Sequence, residues 1–201
     1  MARFPSGSWR SYRPEAGVEP RTAAAPDCRI LGLDPGSLRT GFGIVDCIGP
    51  TERHVASGCI SVRGADLATR LRRIYDAVSA LVEEHRPAEV AIERVFVHRN
   101  PDSALKLGQA RGAALCAAVL HGALAHEYAP RAIKLAVSGY GAAEKGQVAQ
   151  MVTMLLQLPE QPAADAADAL AVALCHAQSR RLASLGAQVG GARRSLRGPA
   201  T

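Results

Sequence analysis

The chain has 201 residues, of which 48% are apolar, 4% aromatic and 21% charged. These proportions are ordinary for a globular protein, and a chain of this length forms a core without disulfide or metal staples. They exclude a wholly disordered, fibrous or membrane class, and the longest apolar stretch, residues 112–125, is too short to span a bilayer.

The net charge of +6 is concentrated at the two ends of the chain. Residues 1–29 carry five Arg and three acids, residues 179–201 carry five Arg and no acid, and residues 30–178 carry 14 bases and 15 acids. Basic ends favour polyanion binding, but they are equally typical of solubilising or disordered tails. The absence of an apolar leader and five widely spaced cysteines without a CxxC pair indicate a cytoplasmic protein with buried thiols.

In chain order, the composition predicts a disordered extension over residues 1–27, one folded domain over 28–185 and a basic flexible tail over 186–201. Strands are predicted at 29–33, 40–48 and 55–62, followed by an amphipathic helix at 66–85 and a buried strand at 89–95. A long helix begins at Asn100-Pro101 and extends to about Leu124, and a short strand follows at 127–128. Helices over 130–137, 143–156 and 162–185 complete a mixed α/β order.

Four carboxylates lie where a negative charge is costly or specially placed. Asp34 ends an apolar strand in the run GLDPG, and Glu93 lies inside another in AIERV. Asp165 and Asp168 are three residues apart at the start of an alanine-rich helix, so both project to the same side of it. If the two strands are neighbours and this helix packs against their ends, the four carboxylates converge, and their repulsion favours a bound cation.

Carboxylate oxygens without nearby Cys or His favour a hard ion, Mg²⁺ or Mn²⁺. Two such ions, one activating water and the other stabilising the leaving oxygen, indicate two-metal phosphoryl chemistry. Each acid also has a structural interpretation. Asp34 can begin a turn, Glu93 can pair with Arg94 or Arg99, and the two helix aspartates can complement a helix N-terminus.

Five segments occur in an order that resembles a known family: ILGLDPGSLRTGFGIV, SGCISV, AIERVFVHRNPDSALKLGQARG, GYGAAEKGQVAQMV and LPEQPAADAADALAVALCHA. Through them, the chain from Cys28 to about Arg180 resembles the RuvC family of bacterial Holliday junction resolvases, in the ribonuclease-H-like nuclease superfamily. The resemblance implies a single α/β domain with a ribonuclease-H-like mixed five-stranded sheet flanked by helices.

The resemblance also implies an activity, the resolution of Holliday (four-way) junctions by paired symmetric nicks in DNA recombination and repair, leaving 5′-phosphate and 3′-hydroxyl ends. In that family the acids at these motif positions are catalytic metal ligands, which implies this role, with two Mg²⁺ per site, for Asp34, Glu93, Asp165 and Asp168. The family further implies a homodimer and a branch-migration helicase complex as partner. A two-fold dimer suits a junction because it presents one site to each of two equivalent strands.

Five further residues are candidate DNA contacts. The resemblance gives Phe96 the role of a wedge or stacking platform at an opened base step. It gives Lys134 and Lys145 phosphate contacts beside the active site. Arg99 and Lys106 follow the strand glutamate closely and are further candidates for phosphate contact. The structural alternatives are a core-capping aromatic for Phe96 and solvated helix faces for the lysines.

Other interpretations remain open at the level of sequence. Gly108 and Gly112 lie one helical turn apart and allow close helix approach, either in a dimer interface or within the chain. A related ribonuclease-H-like nuclease acting on RNA or flap structures would use the same acids and metals. An actin-like nucleotide-binding protein would need a second phosphate loop and a second lobe, and the four acids disfavour a junction-binding module without catalysis.

Overall fold

A computed structural model describes residues 27–64, 66–94 and 101–195, with side chains as far as Leu185. The predicted extension therefore lies almost wholly outside the described residues. The described elements are, in chain order, β1 (Cys28–Pro35), β2 (Arg39–Ile48), β3 (Thr51–Ser61), α1 (Leu67–His85), β4 (Glu89–Glu93), α2 (Pro101–Leu120), β5 (Leu124–Tyr128), α3 (Pro130–Ser138), α4 (Lys145–Leu155) and α5 (Ala164–Ser195). None of the described helices has the length and apolar character needed to cross a membrane.

The strands form one sheet in the order β3-β2-β1-β4-β5. The first three strands pair antiparallel as a meander, whereas β4 pairs parallel to β1 and β5 pairs parallel to β4. Parallel neighbours need a crossover connection, and α1 and α2 supply one each. The predicted mixed five-stranded sheet flanked by helices is confirmed.

Helices cover both faces of the sheet, and the alternation of side chains along β1 assigns the faces. Leu31 and Leu33 are buried with α1 and α2, whereas Ile30 is buried with α3, α4 and α5. Asp34 has the parity of Ile30, and Glu93 has the parity of Ala91, which also lies in the α5 cluster. Both strand acids therefore belong to the face that α5 covers.

α2 ends earlier than the sequence pattern predicts. The predicted helix extends to about Leu124, but the helix ends at Leu120, and Gly122 follows with a φ of 91°. Glycine adopts this left-handed region without strain, so the chain turns here and enters β5. The sequence pattern did not indicate the C-terminal end of α2, because apolar residues continue through the turn.

α5 is longer than predicted and continues to Ser195, into the segment assigned to the flexible tail. The other elements lie where predicted, with ends shifted by at most four residues. Cys28, Cys47 and Cys175 are buried thiols, as predicted, but Cys59 is only partly buried and Cys116 of α2 is exposed.

Candidate active site

Asp34 and Glu93 lie side by side at the ends of neighbouring strands. β1 and β4 are parallel with Leu33 paired to Ile92, so the next residues of the two strands are Asp34 and Glu93. Their carboxyl groups are close enough for each to shift the pKa of the other. Two neighbouring carboxylates disfavour double ionisation, so their proximity favours a bound proton or cation.

Close packing of α5 on the sheet brings Asp165 and Asp168 to the same place. Gly41 of β2 pairs with Asp34, and a Cβ atom at Gly41 would lie 1.9 Å from the backbone oxygen of Asp165. A Cβ atom at Gly32 would lie 2.2 Å from a backbone oxygen of the next turn of α5. Glycine is therefore required at both positions, and its small size holds the first turns of α5 against the ends of β1 and β2.

The pKa values of the strand carboxyls reflect this crowding. Burial, followed by the charge of Asp168, raises the pKa of Asp34 to about 6. Burial, followed by the charges of Asp34 and Asp168, raises the pKa of Glu93 to about 7. The positive charge of Lys145 acts in the opposite direction on both groups without cancelling the effect. The cluster therefore contains more negative charge than the neighbouring side chains neutralise.

Each helix aspartate has a cationic partner. Lys145 Nζ lies 2.8 Å from Asp168 Oδ2, and Arg39 Nε lies 2.7 Å from Asp165 Oδ2. The Lys145 side chain is 81% exposed, so its ion pair is weak and can exchange for another anion. The structure thus brings Lys145 to the acidic cluster.

Arg39 and Cys59 are neighbours of the cluster that sequence reasoning missed. Cys59 Sγ lies 3.2 Å from Arg39 Nε and 3.5 Å from Asp165 Oδ2. The two residues meet because β2 and β3 pair with Gly41 opposite Cys59, and α5 crosses this pair. No spacing rule within the sequence relates positions 39, 59 and 165.

The alternative in which Glu93 pairs with Arg94 is wrong. Arg94 Nε lies 3.7 Å from Glu127 Oε2 instead, and Glu127 also forms an ion pair with Arg111. Arg111 Nε donates a hydrogen bond to the backbone oxygen of Glu93 at 3.3 Å. These charged groups hold the end of β4 and leave the Glu93 carboxyl to the acidic cluster.

The structure places the five candidate DNA contacts unevenly. Phe96 and Arg99 lie outside the described residues. Lys106 pairs with an aspartate one turn earlier on α2. Lys134 lies half-buried in α3, and within the described part of the chain no ion pair joins it to the four acids. Among the described candidates, Lys145 contacts the acidic cluster.

The four carboxylates suit a hard divalent cation, because they offer oxygen atoms and Lys145 only partly offsets the negative charge around Asp34 and Glu93. A second group is more compact. Within the described residues, Glu89, His126 and His176 offer three ligand atoms that lie within 4.8 Å of one another and could hold a metal ion. Sequence reasoning did not find this group, since its members share no spacing motif.

Comparison with known proteins identifies the family. The family model "Crossover junction endodeoxyribonuclease RuvC" matches residues 30–176. A relative of that name from Halorhodospira halophila is 59% identical over 167 residues, which cover 83% of this chain and 99% of the relative. Another, from Chromohalobacter salexigens, is 55% identical over 156 residues, which cover 78% of this chain and 84% of the relative.

Solved structures agree with the sequence comparison. The structure of Thermus thermophilus RuvC in complex with a Holliday junction substrate has a TM-score of 0.74 and 35% identity, and covers 78% of this chain and 96% of that chain. The yeast mitochondrial Holliday junction resolvase Ydc2 shares the fold, with a TM-score of 0.57 at 10% identity over 78% of this chain and 82% of that chain. This chain therefore belongs to the RuvC family of crossover junction endodeoxyribonucleases.

Proposed function

We propose that this protein resolves Holliday (four-way) DNA junctions by paired symmetric nicks, in DNA recombination and repair, leaving 5′-phosphate and 3′-hydroxyl ends. Membership of the RuvC family supports this reaction. The observation that carries the proposal is the meeting of two strand-end acids with two helix acids at one edge of the sheet.

Asp34, Glu93, Asp165 and Asp168 are the proposed ligands of two Mg²⁺ ions, with Mn²⁺ as the alternative ion. Their donor atoms are carboxylate oxygens, and the raised pKa values of Asp34 and Glu93 reflect burial and nearby negative charge, which cations would offset. When bound, the ions would activate a water molecule and stabilise the leaving oxygen of the phosphodiester. Asp34 and Glu93 would then both act as ionised carboxylates.

Lys145 is the proposed phosphate-holding residue of the site. Its ammonium group contacts Asp168 and is largely exposed. With cations held by Asp168, the ammonium group of Lys145 would be free to hold a phosphate oxygen or to stabilise the extra charge of the transition state. Lys145 therefore links metal occupancy to the binding of the DNA backbone.

The remaining DNA contacts follow from the family resemblance. Phe96 is the proposed wedge at an opened base step, and Arg99, Lys106 and Lys134 are proposed phosphate contacts. Lys106 would exchange its intrahelical partner for phosphate, which costs little because both side chains are exposed.

A homodimer is proposed through the outer face of α2, defined by Leu105, Gly108, Gly112, Cys116 and Leu120. These residues recur at helical spacing, and Leu105 and Leu120 are 62% and 73% exposed. Apart from the adjacent residues and the backbone of α2 itself, no described atom would lie within 4 Å of a Cβ atom added at either glycine, so the described part of the chain does not pack closely against these glycines. An exposed apolar stripe with small residues at its centre suits a second copy of the same helix.

Oxidative cross-linking tests this interface. If two α2 helices cross near their centres, Cys116 forms a disulfide-linked dimer under mild oxidation, and Cys116→Ser abolishes it. Leu105→Glu is expected to give a monomer by analytical ultracentrifugation. A dimer that survives Leu105→Glu and shows no Cys116 cross-link would place the interface elsewhere.

A branch-migration helicase complex as partner and a cytoplasmic location complete the proposal. The partner rests on the family resemblance, and the location rests on the widely spaced cysteines without a CxxC pair. Co-purification of the full chain with the helicase complex of its own cell would test the first.

One gel assay tests the proposed reaction. Synthetic four-way junction, Y-fork, linear duplex and structured RNA are each incubated with the purified chain and either Mg²⁺ or a chelator. We expect symmetric nicks on the junction only, and only with the ion. Preferred cutting of the RNA or the fork would favour the related nuclease, and cutting in chelator would contradict a metal mechanism.

A further inference from the structure

We propose that Glu89, His126 and His176 form a binding site for a transition-metal ion of the Zn²⁺ type, separate from the nuclease site. The three residues come from β4, β5 and α5, and all lie on the face that α5 covers. Glu89 precedes Glu93 by four residues on the same strand, which places it about 13 Å from the acidic cluster along β4. An ion here would therefore be a third one, distinct from those proposed for catalysis.

The ligand atoms converge without rearrangement of the backbone. His176 Nε2 is hydrogen-bonded to Glu89 Oε2, and His126 Nε2 lies 3.9 Å from the same oxygen. All three atoms lie within 4.8 Å of one another. The two imidazole rings stack with their centroids 4.2 Å apart.

His126 supplies the observation that points to a missing ligand. Its side chain is 41% exposed, yet its Nε2 atom is buried and has no hydrogen-bond partner among the described residues. A buried ring nitrogen is normally paired with a protein group or water. The exposed edge of the ring offers an entry path, and the inward nitrogen offers the ligand atom.

Neighbouring groups orient the other two ligands. Tyr128 Oη lies 2.6 Å from His176 Nδ1, and Arg180 Nε lies 3.0 and 2.9 Å from the two oxygens of Glu89. With an ion bound, the imidazole proton of His176 resides on Nδ1 and is donated to Tyr128, which leaves Nε2 as the ligand. Metal-binding histidines commonly have such a partner on the second nitrogen.

The donor set selects the class of ion. Two imidazole nitrogens and one carboxylate oxygen are the protein ligands of open zinc sites, where water takes the fourth position. Mg²⁺ requires oxygen ligands and prefers the carboxylates at the other end of β4. Burial lowers the pKa of His176, so its ring is neutral near pH 7, as a ligand must be.

Arg180 opposes the ion, because its positive charge lies against the ligand carboxylate. The effect of Arg180 on Zn²⁺ affinity can therefore distinguish a metal site from a hydrogen-bonded cluster. Removal of the charge by Arg180→Gln should tighten Zn²⁺ binding, whereas a hydrogen-bonded cluster without a metal function would gain no affinity for the ion. An ion held by β4, β5 and α5 together would also raise the melting temperature.

The test uses the full chain with excess Mg²⁺, which occupies the carboxylate cluster. Zn²⁺ binding is measured by isothermal titration calorimetry, and Co²⁺ binding by its visible spectrum. We expect one Zn²⁺ per chain, a rise in melting temperature and a four-coordinate Co²⁺ spectrum. His126→Gln should weaken binding at least about tenfold, while His121→Gln, a partly buried histidine outside the group, should leave it unchanged.

The outcomes separate the site from its alternatives. Junction cutting by His126→Gln with Mg²⁺ should equal that of the wild type, which verifies that the variant folds. Equal Zn²⁺ affinity of wild type and His126→Gln, or no binding by the wild type, would overturn the proposal. A thiolate-to-cobalt charge-transfer band that disappears in Cys116→Ser would show binding at cysteine and would also overturn it.

Discussion

Glu89 and Glu93 belong to the same strand and face the same helix, yet folding moves their pKa values in opposite directions. Burial and the nearby acids raise the pKa of Glu93 to about 7. At Glu89, burial is outweighed by the hydrogen bond to His176 and the charge of Arg180, which hold the pKa of this carboxyl below its usual range. The fold neutralises the Glu89 carboxylate with its own groups and leaves the Glu93 carboxylate, a proposed cation ligand, incompletely neutralised.

The contrast between Glu89 and Glu93 indicates which property identifies a functional acid. Both carboxylates are partly buried, so burial alone does not distinguish them. The distinguishing property is the balance of charges nearby, which is negative around Glu93 and positive around Glu89. The repulsion among the acids around Glu93 therefore lowers the free energy of unfolding relative to neutral side chains at these positions. Their negative charge remains available for binding.

The largest effect is expected on junction cleavage, when one proposed metal ligand of the acidic cluster loses its negative charge. Asp34→Asn should lower junction cleavage by about 10³-fold or more, because metal ions supply several kcal/mol of transition-state stabilisation. Junction binding should persist, since the substitution leaves the DNA-contacting surface intact. Single-turnover cleavage and a gel-shift assay measure the two quantities. Asp76→Asn on α1 is the matched control, and normal turnover by Asp34→Asn would remove this residue from the mechanism.

A second prediction compares the two ends of β4 through stability. Glu89→Gln should lower the free energy of unfolding by about 2 kcal/mol, because it breaks charge-assisted hydrogen bonds with His176 and Arg180. Glu93→Gln should leave this free energy unchanged or raise it, because it removes repulsion. Urea unfolding at pH 8 in chelator measures both variants. Equal destabilisation by the two substitutions would show that the surroundings of Glu89 and Glu93 do not differ in their net charge as described.

A third prediction concerns pH. Folding raises the pKa values of Asp34 and Glu93 from ordinary values of 3.8 and 4.5 to about 6 and about 7. The folded protein therefore retains protons that the unfolded chain has lost, and stability decreases as pH rises through this window. Relative to the double variant Asp34→Asn/Glu93→Gln, the metal-free wild type should lose several kcal/mol between pH 4 and pH 7.5, because each unit of raised pKa corresponds to about 1.4 kcal/mol. Parallel stability curves for the two proteins would contradict the shifted pKa values.

The smallest effect is expected at Arg39, which pairs with Asp165 and would compete with a cation bound there. Arg39→Ala should lower the Mg²⁺ concentration for half-maximal cleavage by about two- to fivefold, because an exposed ion pair is weak. A Mg²⁺ titration at fixed junction concentration measures the change. Arg72→Ala, on the exposed face of α1, is the control. A higher Mg²⁺ requirement in Arg39→Ala would show that Arg39 assists the ions.

Much of the acidic site could be predicted because its residues carry local signals. Asp34 ends an apolar strand, Glu93 interrupts another, and Asp165 and Asp168 share one helical turn. These patterns name the residues, and the parallel pairing of β1 with β4 brings the strand acids together. In the sequence, Gly32 and Gly41 can be interpreted as turn residues as well as packing residues. The close contact of α5 with the sheet at these glycines could therefore not be predicted from the sequence.

The other end of β4 could not be predicted for a physical reason. Glu89, His126 and His176 are single polar residues within apolar segments, and each is ordinary by itself. The register of β4 and β5 brings Glu89 and His126 together. His176 joins them because it lies about two turns after Asp168 on α5. The same holds for Arg94, whose partner proved to be Glu127 on the adjacent strand. Partner choice of this kind is set by tertiary register.

We propose that the carboxylates of Asp34, Glu93, Asp165 and Asp168 together bind divalent cations. Anomalous diffraction from crystals of the full chain soaked in Mn²⁺ would locate such ions. We expect Mn²⁺ peaks between the strand acids and the first turn of α5, and their loss in Asp34→Asn. Saturating Mn²⁺ that leaves this cluster without a peak would show that the four acids do not form a metal site.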